Sequence, residues 1–198
     1  MKKLVPFLII VVFGTTFYLK AQGEVLFFEE HIDFSLDNNY FCINGIYSFQ
    51  NSNGQNINQQ ILFPFAEEAT EIDSIRIMNL YSGRKISFSR KDNSIRFSVY
   101  LPVNDTVDVN IFYRQKTSAK NKYIISSTQS WGKPLETAVY TLTVEKNLKI
   151  KSFSYLPDSI KEFDDRKLYI WEKHNFMPKN DFEIILDERE QKKKFIKI

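Results

Sequence analysis

Ser94-Ile95-Arg96-Phe97-Ser98-Val99-Tyr100-Leu101 decides the fold. Its apolar residues fall at every second position, so Ile95, Phe97, Val99 and Leu101 share one face of an extended strand and mostly polar groups share the other. Such a strand has one face in a core and one in solvent. The same period returns on both sides of it. Thr106 to Tyr113 turns Val107, Val109, Ile111 and Tyr113 inward, and Glu136 to Glu145 turns Ala138, Tyr140, Leu142 and Val144 inward. Phe41, Ile43, Tyr47 and Phe49 do likewise, with Gly45 marking either a bulge or a bulky neighbour lying across the sheet.

The joints between these runs carry hairpin chemistry. Asp37-Asn38-Asn39, Asn51-Ser52-Asn53-Gly54, Ser82-Gly83, Asp92-Asn93 and Asn104-Asp105 all tolerate positive φ. About eleven mainly antiparallel strands are expected, near residues 25 to 36, 40 to 50, 57 to 63, 74 to 81, 85 to 90, 94 to 101, 106 to 115, 122 to 129, 137 to 146, 148 to 155 and 167 to 173, with one more candidate at 181 to 187. In Leu148 to Tyr155 the apolar phase slips by one, which predicts a bulge near Lys151. Ser159-Ile160-Lys161-Glu162 reads as a capping box opening a short helix. The fold class is therefore all-β, an antiparallel two-sheet sandwich, immunoglobulin-like or jelly-roll-like, with one short helix.

The two ends differ from this pattern. Lys2 and Lys3 precede an apolar run, Leu4 to Phe13, and Ala21-Gln22-Gly23 offers small residues for cleavage, so residues 1–23 read as a signal peptide. The run is shorter than the roughly 20 apolar residues of a membrane helix, and no span is expected after cleavage. Residues 24–187 read as a single β-sandwich domain, and residues 188–198 as a basic tail. That tail fits a solvated end or an edge strand guarded by lysines, and it could also touch an anionic surface. Without the leader, Lys plus Arg falls from 27 to 24 and equals the 24 Asp plus Glu, so charge gives no case for nucleic acid. The expected location is outside the cytoplasm, in the periplasm or at the cell surface. A single cysteine, Cys42, excludes an internal disulfide and reads as a small buried apolar side chain.

Chemistry is sparse. Glu29, His31 and Asp33 share a strand face and could form a metal or acid/base cluster, but a solvated sheet face explains them more simply. His174 reads as a surface strand end. No Gly-x-Ser-x-Gly elbow, zinc-ligand spacing, phosphate loop or calcium loop is present, so no catalytic residue, metal or cofactor is assigned and the chain is read as non-enzymatic. Aromatic residues are the remaining signal, with 18 Phe, 10 Tyr and 2 Trp. Trp131, Tyr169 and Trp171 are the candidate ligand-binding platforms, in competition with a core role for the same rings.

Gly45-Ile46-Tyr47-Ser48-Phe49-Gln50-Asn51, Phe63-Pro64-Phe65, Trp131-Gly132-Lys133-Pro134-Leu135, Tyr169-Ile170-Trp171-Glu172, Phe176-Met177-Pro178 and Asp181-Phe182 resemble an uncharacterised family of exported bacterial β-sandwich domains. The likeness covers Glu24 to Leu186 and implies fold and export, with no activity to carry over. Gly132 and Pro134 are expected to bend the chain between two strands while Trp131 plugs the sandwich rim. The functional expectation is an exported, non-catalytic module with an interaction or structural role in the cell envelope, its partner an envelope protein or glycan. The alternative is a carbohydrate-binding module or accessory domain of a hydrolase.

Overall fold

The computed structural model of the chain describes residues 25–69 and 71–187; the expected leader and basic tail lie outside the described residues. The strands are β1 (Val25–Leu36), β2 (Tyr40–Asn51), β3 (Ile57–Pro64), β4 (Asp73–Asn79), β5 (Phe88–Lys91), β6 (Ser94–Leu101), β7 (Thr106–Lys116), β8 (Lys120–Tyr123), β9 (Leu135–Glu145), β10 (Ile150–Phe153), β11 (Ser159–Glu162), β12 (Arg166–Phe176) and β13 (Phe182–Leu186). A 3-10 helix, Ser126–Trp131, precedes β9. The fold is an all-β sandwich whose two layers are built differently.

One layer is a seven-stranded sheet in the order β11-β12-β9-β1-β2-β7-β4. The expected alternation sets its inner face: Val107, Val109, Ile111 and Tyr113 are buried, as are Ala138, Tyr140, Leu142 and Val144. The opposite layer is broken into two three-stranded sheets, β3-β6-β5 and β10-β13-β8. The first lies against β2 and β7, where the Phe63 ring sits 5.7 Å from Tyr47 and 6.0 Å from Tyr113. The second lies against β1, β9 and β12, where Phe182 sits 4.8 Å from Phe34, 5.6 Å from Tyr140 and 4.9 Å from Trp171. All the inner rings belong to one continuous core.

All five expected joints lie between strands, and three of them use positive φ. Asp92 and Asn104 take positive φ between β5 and β6 and between β6 and β7, and Gly83 does so after β4. Asn51, fully buried, donates through Nδ2 to the carbonyls of Gln55, Leu101 and Pro102, and accepts from the Asn53 backbone and side chain. It fastens the turn after β2 to the end of β6, and so ties one half of the broken layer to the continuous one. A register shift between Ile150 and Ser152 is the bulge that the phase slip predicts.

Three local expectations are corrected, and one pairing departs from the antiparallel majority. Ser159–Glu162 forms no helix: it is the edge strand β11, paired antiparallel with β12. So short a segment cannot offset helix nucleation, whereas the hairpin with β12 satisfies its backbone directly, and Asp158 just before it accepts from the Glu172 backbone and Lys173 Nζ and so ties the segment to β12. The strand expected over 122 to 129 stops at Tyr123, because Ser126 bonds the Asp181 carboxylate through both its backbone and its hydroxyl and starts the 3-10 helix. β1 and β9 pair in parallel, Glu29 with Thr137 through Leu36 with Val144, which hairpin logic cannot foresee for strands so distant in sequence. Cys42 sits half-buried rather than buried, alternating with the inward Phe41 and Ile43.

Candidate functional site

The break in the second layer places two end strands, β3 and β8, beside each other without pairing them. The Phe63 and Tyr123 rings approach to 6.4 Å across this seam, and Gln115 Nε2 donates to the Lys122 carbonyl at 3.2 Å. A cavity of about 40 Å³ opens at the seam, large enough for water or a small ligand group. Phe27, Tyr47, Phe49, Phe63, Tyr123 and Trp131 supply its aromatic lining, and Glu30 supplies its carboxyl. Leu62, 60% exposed, and the half-buried Trp131 bring the lining to the surface.

A bulge in β1 delivers the carboxyl. Phe27 pairs with Phe49 and Glu29 with Ser48, so Phe28 is the extra residue and alternation restarts after it. Phe27 and Glu30, three positions apart, consequently both point inward. Glu30 lies opposite Tyr47 on β2 and Ala138 on β9. The small Ala138 leaves room for Tyr140, two residues on, to donate its hydroxyl to Glu30 Oε1. Tyr47 in turn shares a 2.7 Å hydrogen bond with the Tyr123 hydroxyl on β8. Gly45 makes this placement possible, since a Cβ there would stand 2.5 Å from the Tyr47 hydroxyl oxygen and 2.7 Å from Ile32 Cδ1. The expected bulky cross-sheet neighbour is Ile32, paired with Gly45 on β1, and Tyr47 of the same strand as the glycine folds back over it.

Burial governs the electrostatics. Desolvation pushes Glu30 up to about 7, only partly opposed by the Tyr140 hydrogen bond. Burial also raises the hydroxyls of Tyr47, Tyr123 and Tyr140 well above the usual phenol range. They stay neutral wherever Glu30 titrates. At the surface the seam is bridged by charge: Lys122 Nζ reaches Glu68 at 2.9 Å and Lys120 Nζ reaches it at 3.9 Å, while Glu183 of β13 holds both lysines within their own half, at 3.3 and 2.8 Å. Glu68 follows β3 while both lysines belong to β8, so the two Glu68 pairs clasp the two halves together. The Lys122 hydrogen bond holds the Glu68 carboxyl below its ordinary value, and Glu68 raises Lys122.

The residues singled out by sequence are dispersed. Trp131 packs on Phe27 and Phe49 with centroids at 5.9 and 5.5 Å, plugging the rim at the seam, and Gly132 follows with φ of 75°. Trp171 is fully buried, donates Nε1 to the Tyr155 carbonyl at 2.9 Å, and offers no ring face to a ligand. Tyr169 is half-buried edge-on to Phe153, away from the seam. His31 is exposed on the outer face with Asp33 Oδ1 3.4 Å from Nε2, and His174 is exposed on β12. Among the described residues no group of three or more His, Cys, Asp or Glu converges on a metal position. Glu30 is the residue that sequence reasoning passed over, although it stands in phase with the apolar Ile32, Phe34 and Leu36.

No protein-family model matches the chain, and no curated protein matches it in sequence. Solved structures do match in fold. A Legionella pneumophila protein provisionally described as nutrient binding aligns with a TM-score of 0.65 at 16% identity, over 83% of this chain and 67% of that one. An M1 zinc metallopeptidase from Deinococcus radiodurans aligns at 0.47 and 8% identity, over 82% of this chain and 42% of the peptidase.

Proposed function

We propose that this protein is an exported, non-catalytic β-sandwich module that binds a ligand or partner of the cell envelope at the seam of its broken layer. The observation that carries the reading is the aromatic pocket around Glu30, concave, largely apolar and furnished with few polar groups, as binding sites generally are. The fold likeness to a protein described as nutrient binding supports ligand capture, and the leader-like residues 1–23 support export to the periplasm or surface. An envelope protein or glycan is the expected partner class. The position of Trp131 at the rim favours a carbohydrate-binding role as the second reading, since a half-exposed indole can stack on a sugar.

Binding of envelope proteins and glycans to the full chain tests this. Leu62→Arg places a charge at the mouth of the pocket and should weaken capture by about tenfold or more, whereas Tyr81→Arg, outside the lining, should leave it unchanged. Bound material should be recovered with its mass intact. Indifference to Leu62→Arg, or release of cleaved product, would overturn the reading.

A further inference from the structure

We infer that the seam pocket accepts a small primary ammonium group, with Glu30 as its counter-charge and the rings of Phe27, Tyr47 and Trp131 as its walls. The inference rests on the seam being a binding pocket and deepens that reading by naming the chemistry of the ligand.

Three observations converge. Glu30 is 2% exposed and lines the cavity, yet no cation joins it in any ion pair among the described residues. Buried carboxylates ordinarily lie beside a cation or give up their charge. The lining opposite it is aromatic, and ring faces attract cations while adding none of the donors an anion would require. The cavity, at about 40 Å³, admits an ammonium head rather than a ring, and Leu62 and Trp131 at the mouth suit an apolar stem behind that head. A sugar would instead need an open platform, and an anion would meet the carboxylate.

The groups facing Glu30 leave it as the titrating charge of the pocket. Tyr140 reaches it from β9, Tyr47 faces it from β2 and Tyr123 from β8, with Tyr113 of β7 behind the last two. All four hydroxyls are held neutral by burial. A cation needs ionised Glu30, and burial has moved its titration up to about 7, so binding strengthens as pH rises through that value.

The test is titration of the full chain with n-propylammonium and with its neutral counterpart 1-propanol, read by NMR at the Trp131 indole N–H. Trp171, buried away from the pocket, is the internal control. Propylammonium should shift Trp131 saturably near pH 8 and about tenfold more weakly near pH 5.5, and 1-propanol should be weaker by a similar factor. Glu30→Gln should abolish the pH dependence and lower the affinity by about tenfold or more, the pH comparison on the unaltered chain standing even if that variant folds poorly. Equal midpoints for amine and alcohol, or Glu30→Gln within about threefold of the parent, would overturn the ammonium assignment while leaving a pocket that binds. Silence of Trp131 toward both probes, with capture still sensitive to Leu62→Arg, would overturn the inference and spare the proposed function. Silence together with insensitivity would remove both.

Discussion

The two layers of this sandwich solve one packing problem in opposite ways. The seven-stranded sheet is continuous: β9, β1, β2 and β7 each have a neighbour on both sides, and their inner faces are almost wholly apolar. The opposite layer is two short sheets whose end strands abut without hydrogen-bonding, and a buried carboxyl, that of Glu30, lies beneath their junction. Continuity provides the scaffold. The interruption provides a cavity, a carboxyl with no cation beside it among the described residues, and a route to the surface, the features that a binding site needs and a closed core lacks.

The sharpest way to break this comparison is to empty each layer in turn. Phe34→Ala, in the continuous sheet among Phe41, Tyr123, Tyr140 and Phe182, should cost about 3 to 5 kcal/mol, and Phe97→Ala in the broken layer a similar amount. Arg96→Ala, on the solvent face of the same strand as Phe97, should cost under about 1 kcal/mol. Chemical denaturation decides both matters. A separate early transition in Phe97→Ala would show that the broken layer unfolds on its own, against the single core in which both rings lie.

Next in size is the carboxyl beneath the seam. Its folded value near 7 lies above the ordinary 4.5, so the native state holds its proton more tightly than the unfolded chain does. Stability is therefore full below about 4.5, declines as pH rises toward 7, and levels off above it with a loss of about 3 kcal/mol from this group. Glu30→Gln should flatten that part of the stability profile and make the protein more stable near pH 8. An unchanged slope between about pH 5 and 7 would show that Glu30 is better solvated than its burial implies.

The smallest effect belongs to the clasp. Glu68→Gln removes the acid that joins the turn after β3 to Lys122, and because the pair is partly exposed it should cost between about 0 and 1 kcal/mol, less still at high salt. Its use is local. Amide exchange along Lys120–Tyr123 should quicken while β1 and β9 keep their protection, and equal acceleration everywhere would mean that the two halves are not independently closed.

Much of the scaffold was legible because a strand with one wet face writes its facing into the sequence. Phe97, Val99, Val109, Ile111, Leu142 and Val144 all lie in the shared core where alternation put them. The seam was not legible, because whether β3 meets β8 or pairs with it depends on tertiary packing that no local pattern encodes. Glu30 lies between these cases. Its inward phase could be read against Ile32, Phe34 and Leu36, but the more conspicuous Glu29, His31 and Asp33 occupy the other face, and only the bulge at Phe28 brings Phe27 round to join it. Ser159 to Glu162 misleads for the opposite reason: a sound helix signal yields to a neighbouring strand able to complete its hydrogen bonds.

The parallel contact between β1 and β9 also sets a clock. The hydroxyl of Tyr140 meets Glu30 across 110 positions of sequence, whereas β1 with β2 and β11 with β12 close as near neighbours. Closing so long a loop is entropically costly and slow, so local hairpins assemble first and the centre of the large sheet is sealed late, when β9 docks. Until then Glu30 remains in water with an ordinary affinity for protons. Proton uptake near neutral pH thus coincides with the last topological step, and the chain carries within its own acid–base behaviour a marker that β9 has met β1.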